Sequence, residues 1–178
     1  MPRVNFANII ESKAGGAQIE PGNYACAIVS AEDVPARQYV MLNMRVTQDG
    51  PAKGHEFKSY LSYGEKALPM TKARLMRVSE SNPGFDACAA FEADQWGWFC
   101  NKAVGVTFDE EEWRGNDGTV RNGAHANGFL AIRDLPTAKA PRHKRLDGTW
   151  CSIEDANAEK AKAQAQAAPA YAAESIPF

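Results

Sequence analysis

The chain has 178 residues, of which 44% are hydrophobic and 24% charged, with a formal net charge of −2. This is the profile of one globular domain with a core and an appendage. No apolar run approaches the roughly 20 residues that span a bilayer. The opening Met1-Pro2-Arg3-Val4-Asn5-Phe6 lacks the apolar stretch of a signal peptide, so a cytoplasmic protein with no membrane association is expected. Cys26, Cys88, Cys100 and Cys151 form no C-x-x-C pair, and His55, His125 and His143 lie near none of them in sequence. They read as reduced packing residues, with no metal or cofactor implied.

Residues 1–18 are Gly/Ala-rich and read as an N-terminal arm, and the body opens at the turn signal Pro21-Gly22. Residues 24–30 predict a first strand, broken by Val34-Pro35-Ala36. Residues 39–47 predict a second, with Val40, Leu42, Met44 and Val46 on one face and Tyr39, Met41, Asn43 and Arg45 on the other. Asp49-Gly50-Pro51 is turn chemistry. The third strand, 55–63, sets Phe57, Ser59, Leu61 and Tyr63 against Glu56, Lys58, Tyr60 and Ser62. Residues 66–78 predict a helix with Pro69 in its first turn, stopped by Asn82-Pro83-Gly84. A second helix is expected over 86–99, its Trp96, Trp98 and Phe99 facing the core. Strand signals return at 103–108, at the Asn116-Asp117-Gly118 hairpin flanked by Trp113 and Val120, and at 128–133. From Ser152 to Ala173 the chain is rich in Ala, Gln, Lys and Glu, which predicts a flexible tether, at most transiently helical.

Three strands, a helical insertion and two or three further strands match the order of an OB fold, a five-stranded barrel with a helix commonly between its third and fourth strands. The expected class is mainly β with a helical insertion. Its domain spans 19–150, followed by a disordered tail over 151–178. Charge gives no global sign of nucleic-acid binding. Two of the 20 cations and four of the 22 acids lie beyond Cys151, so residues 1–151 hold 18 of each. A nucleic-acid surface must then come from local segregation of charge.

Two stretches carry a resemblance. Residues 99–113 (F-C-N-K-A-V-G-V-T-F-D-E-E-E-W), then Asn116-Asp117-Gly118 and residues 139–146, together with Pro21-Gly22-Asn23-Tyr24, resemble a phage and prophage family long filed as a domain of unknown function. That family is associated with OB-fold single-stranded DNA-binding proteins of replication and recombination. The likeness covers roughly residues 20–147; Asn101-Lys102 stands where the family usually has Gly-Lys, and Glu111-Glu112-Trp113 forms its acidic-aromatic element. The end, Glu174-Ser175-Ile176-Pro177-Phe178, resembles the tip of bacterial single-stranded DNA-binding proteins, with Glu174 alone in place of their usual acidic run. Such a tip implies docking of replication or recombination proteins through Glu174, Ile176, Pro177 and Phe178. Ile and Phe fill an apolar pocket, and the terminal carboxylate pairs with a base.

The implied function is sequence-tolerant binding of single-stranded DNA, which needs rings for stacking and cations for phosphates. The residues expected to supply them are Tyr39, Asn43, Arg45, Lys58 and Tyr60 on the second and third strands, Lys53 in their turn, and Lys72, Arg74 and Arg77 on the helix. The acidic run 109–112 is expected on the far side. Lys144 and Arg145 read either as a second phosphate contact or as a basic linker. Competing readings are a metal-dependent nuclease built on Asp49 and Glu56-Phe57-Lys58, and a protein-only replication adaptor. Non-enzymatic DNA binding is the favoured expectation, with homo-oligomerisation left open.

Overall fold

The computed structural model describes residues 19–167. Seven strands form one mixed sheet: β1 (Gly22–Val34), β2 (Tyr39–Val46), β3 (Glu56–Ser62), β4 (Ala103–Arg114), β5 (Val120–Leu130), β6 (Arg142–Lys144) and β7 (Trp150–Ser152). Three helices accompany them: α1 (Leu68–Ser81), α2 (Ala87–Glu92) and α3 (Ile153–Ala167). The sheet order is β3-β2-β1-β4-β6-β7, with β5 pairing β4. All pairings are antiparallel except β4 with β6.

The alternation read from β2 and β3 is the alternation observed. Val40, Leu42, Met44 and Val46 are buried with Leu61, and join Cys26 and Ile28 of β1 and Val104, Val106 and Phe108 of β4 in the core. Strand β1 is longer than the 24–30 expected and bends at a bulge between Ile28 and Ser30, which leaves Val29 unpaired and exposed. Helix α1 presents Thr71, Leu75 and Val78 to the core. Asn82 ends it, donating from its amide to Val78 and Ala103 carbonyls and accepting from the Ala103 amide, so that the helix end is tied to β4.

The second helix is only six residues, capped by the Asp86 carboxylate on the Ala89 amide. A separate 3-10 turn, Trp96–Phe99, follows. Phe99 is buried and Trp96 packs against the core as expected, but Trp98 is 62% exposed. The 3-10 turn spaces these side chains at three per turn, so Trp98 points away from the wall that its neighbours fill.

β4 extends well beyond the expected 103–108 segment; β5 starts eight residues before the expected 128–133 segment but ends at Leu130, where the 3-10 turn Ile132–Thr137 follows, and the two strands join through Asn116-Asp117-Gly118. The turn is closed by Asp117, which accepts from the Thr119 amide and hydroxyl, while Gly118 takes φ +78°. The β6–β7 turn repeats this chemistry with Asp147, Gly148 at φ +85°, and Thr149. The threonine hydroxyls hold both aspartate carboxyls below the usual range.

Two expectations are corrected. Five strands become seven, and among the described residues no ladder joins β3 to β5; the sheet is open there, and α1 occupies the gap. The tether does not begin at 151. Cys151 and Ser152 belong to β7, and Ser152 starts α3 in a reciprocal cap: its hydroxyl accepts from the Asp155 amide and donates to the Asp155 carboxylate. Ala156 is buried, and the helix is pinned by Arg145–Glu159 at 2.6 Å and Lys160–Glu110 at 3.5 Å. Alanine-rich sequence suits a helix that needs only one small contact face. No described helix is long and apolar enough to cross a membrane.

Burial pushes the Cys26 thiol up to about 12, whereas Cys100 is exposed. Brief alkylation of the native protein at about pH 8 is expected to label Cys100 and spare Cys26, because the thiolate is the nucleophile. Peptide mass spectrometry reads the result; native-state label on Cys26 would contradict this packing.

Candidate nucleic-acid interface

Strands β2 and β3 pair Met41 with Tyr60, Asn43 with Lys58, and Arg45 with Glu56. Strict alternation therefore brings Tyr39, Asn43, Arg45, Lys58 and Tyr60 onto the face opposite the core. The Tyr39 and Tyr60 rings meet edge to face at 4.9 Å, and Tyr60 remains 45% exposed. Asn43 donates to the Ser30 hydroxyl of β1 at 2.8 Å. A shallow cleft beside them is lined by Val29, Asn43, Glu56 and Lys58.

The cations divide by partner. Arg45 pairs with Glu56 at 2.5 Å, Lys53 with Asp49 at 2.6 Å, and Arg77 with Glu80 at 2.7 Å. Each of these exposed pairs is weak and exchangeable with solvent or phosphate. Lys58 and Lys72 have no ion-pair partner among the described residues. Lys72 lies on the α2 side of its helix, where its charge acts on Cys88. Arg77, one turn after Arg74 on α1, is held by Glu80.

Arg74 has a different task. Its guanidinium donates to the Tyr60 carbonyl of β3 at 2.8 Å and the Asn127 carbonyl of β5 at 3.0 Å, and lies over the Phe129 ring. It bridges the two strands that no ladder joins. Burial lowers its pKa, as for any cation taken from water.

The acidic run is not confined to the far side. Alternation along β4 sends Asp109 and Glu111 to the outer face and Glu110 and Glu112 inward. Asp109 is buried, accepting from the Arg142 amide and the Asn127 side chain. Inside, the buried His143 ring lies between Glu110 at 2.5 Å and Glu112 at 3.1 Å. Of the run, Glu111 is the carboxylate left on the open outer side, 3.9 Å from Lys144. Arg145 reaches Glu159 of α3, so its neighbours make it an anchor for that helix.

Glu56 and Asp49 engage separate cations and do not converge. Among the described residues, no three His, Cys, Asp or Glu side chains are grouped to hold a metal.

Reading by strands missed a second aromatic-basic group. Trp150 on β7 carries the Arg142 guanidinium over its ring at 4.4 Å and the Lys144 ammonium at 5.6 Å. The signal available was Asp147-Gly148 between short strand-like segments. Glu174, Ile176, Pro177 and Phe178 lie outside the described residues. No family model matches the chain, and no curated protein matches it by sequence.

Proposed function

We propose that this protein binds single-stranded DNA on the outer face of β2 and β3, in an OB-like arrangement whose β3–β5 seam is spanned by Arg74 in place of a ladder. The observation that carries this reading is the Tyr39–Tyr60 pair, with Tyr60 exposed and Tyr39 half-buried, set beside Asn43 and Lys58, which has no ion-pair partner among the described residues. Rings accept bases of any sequence, and a nearby ammonium follows the phosphates. Local segregation does what net charge does not. The role lies in phage-type replication or recombination, the context that the sequence resemblance suggests, and no chemistry is performed on the strand.

Photocrosslinking with an oligonucleotide bearing 5-iododeoxyuridine tests the placement. Adducts at Tyr39 or Tyr60 are expected, without metal. Absence of adducts at both residues overturns the assignment of this face. Mg²⁺-dependent strand cleavage that is lost in Glu56→Ala would instead support the nuclease.

The proposal's second part assigns Glu174, Ile176, Pro177 and Phe178 to partner docking, on the resemblance of that peptide to the tips of bacterial single-stranded DNA-binding proteins. Deleting residues 176–178 is expected to leave DNA binding intact or stronger and to abolish pull-down of replication or recombination proteins. Undiminished pull-down would remove the docking role.

A further inference from the structure

The outer face does not end at β1. Register carries it across the sheet: Arg45 faces Ala27 of β1, Ala27 faces Ala103 of β4, Glu111 of β4 faces Lys144 of β6, and Lys144 faces Trp150 of β7. Side chains directly opposite in a ladder share a face, and residues two apart on a strand do so too. Trp150, Arg142 and Lys144 therefore stand on the same side of the sheet as Tyr39 and Tyr60. The middle of that face is covered by the segment after β5, where Leu135 sits close above Gly105 and the Lys139 carbonyl accepts from Asn23. Beyond this strap the face opens again.

The group exposed there is suited to a single strand. Trp150 is 36% exposed. The Arg142 guanidinium over its ring enlarges the flat surface, and an Arg plane is itself a stacking surface for a base. Arg142 has no carboxylate ion-pair partner among the described residues; the carboxylate of Asp109 takes its backbone amide instead. Trp113, on β4, turns over Gly123, where a Cβ would stand 3.1 Å from its ring, and meets His125 edge to face at 5.3 Å. This gives aromatic rings on β4 and β7 with Arg142 and Lys144 between. Five strand spacings of about 4.8 Å separate β3 from β7. Along the strands, Tyr60 is level with Glu32 of β1, whereas Trp150 is level with Glu111 of β4, three residues beyond the partner of Gly22. That offset is about 13 residues at about 3.3 Å each, so the two platforms lie roughly 40–50 Å apart over the sheet. That span falls within the site sizes of about 4–16 nucleotides typical of OB-type binders.

We infer that Trp150, stacked by Arg142 and flanked by Lys144, is a second base-stacking subsite for single-stranded DNA, engaged only by strands long enough to cross the strap from the Tyr39–Tyr60 face. The inference rests on the DNA-binding reading of that face. Anisotropy with dT20 and dT6 tests it in the full chain. Trp150→Ala and Arg142→Gln are each expected to weaken dT20 by about tenfold, the effect of losing one stacked base, while dT6 changes less than about twofold. Trp150→Phe should keep most of the dT20 affinity. Unchanged dT20 affinity in both Trp150→Ala and Arg142→Gln overturns the second subsite and leaves the tyrosine face standing. Equal losses on dT6 and dT20 in both variants also overturn it, since the effect would then not depend on strand length. A changed oligomeric state in Trp150→Ala with unchanged DNA affinity would assign this face to a second copy of the chain. No binding of dT20 by the wild type would overturn both readings together.

Discussion

Tyr60→Ala is expected to weaken binding of oligo-dT by about 5- to 150-fold, the range that corresponds to about 1–3 kcal/mol for one base–aromatic stack. The ring is 45% exposed and touches Tyr39 edge to face at 4.9 Å. Its removal costs the fold little, because an aromatic pair contributes only about 0.5–1.5 kcal/mol beyond its buried area. A purely structural tyrosine pair gives the reverse outcome: a lower Tm and unaltered affinity. Tyr60→Phe should retain binding, since stacking uses the ring and not the hydroxyl. Tyr39→Ala is expected to act in the same direction. The double variant should lose less than the two single losses combined, because each ring orients the other.

Arg74→Met is expected to do the opposite. It removes a charged donor from the carbonyls of Tyr60 and Asn127, a side-chain link between β3 and β5. Charged hydrogen bonds contribute about 1.5–3 kcal/mol each, and methionine recovers part of the packing on Phe129. A net loss of about 2–4 kcal/mol corresponds to a fall in Tm of roughly 4–16 °C for a domain of this size. Circular dichroism on heating reads it. At low temperature, where the variant stays folded, its dT affinity should remain near wild type. Unchanged Tm with lost DNA affinity would return Arg74 to the interface.

The contrast between these residues shows what the sequence made legible. Tyr39, Asn43, Arg45, Lys58 and Tyr60 were placed on one face by period-two alternation alone, because each strand buries one side and a slip of one residue would expose Val40, Leu42 and Leu61. Asn116-Asp117-Gly118 identified its hairpin through an αL glycine and an aspartate that closes the turn. Partnership across the chain was not legible in the same way. Whether Arg45 meets Glu56 depends on β2–β3 register, and whether Arg74 meets Asn127 depends on a contact 53 positions away. The β6–β7 hairpin was missed although Asp147-Gly148-Thr149 repeats the Asp117-Gly118-Thr119 turn, because three-residue strands carry too little alternation to register. The composition of α3 predicts a tether, yet Ser152-x-x-Asp155 is a capping signature that outweighs it. Trp150 lies just before that alanine-rich stretch and carries no alternation signal of its own.

Binding of labelled oligo-dT to the full chain, followed by anisotropy as salt is raised and with no divalent metal, tests the central claim most directly. Saturable binding at low salt is expected, with log affinity falling against log salt at a slope of about −2 to −3. That slope corresponds to three or four phosphates neutralised at about 0.7 per contact on a single strand. No binding at low salt, or binding indifferent to salt, would contradict it.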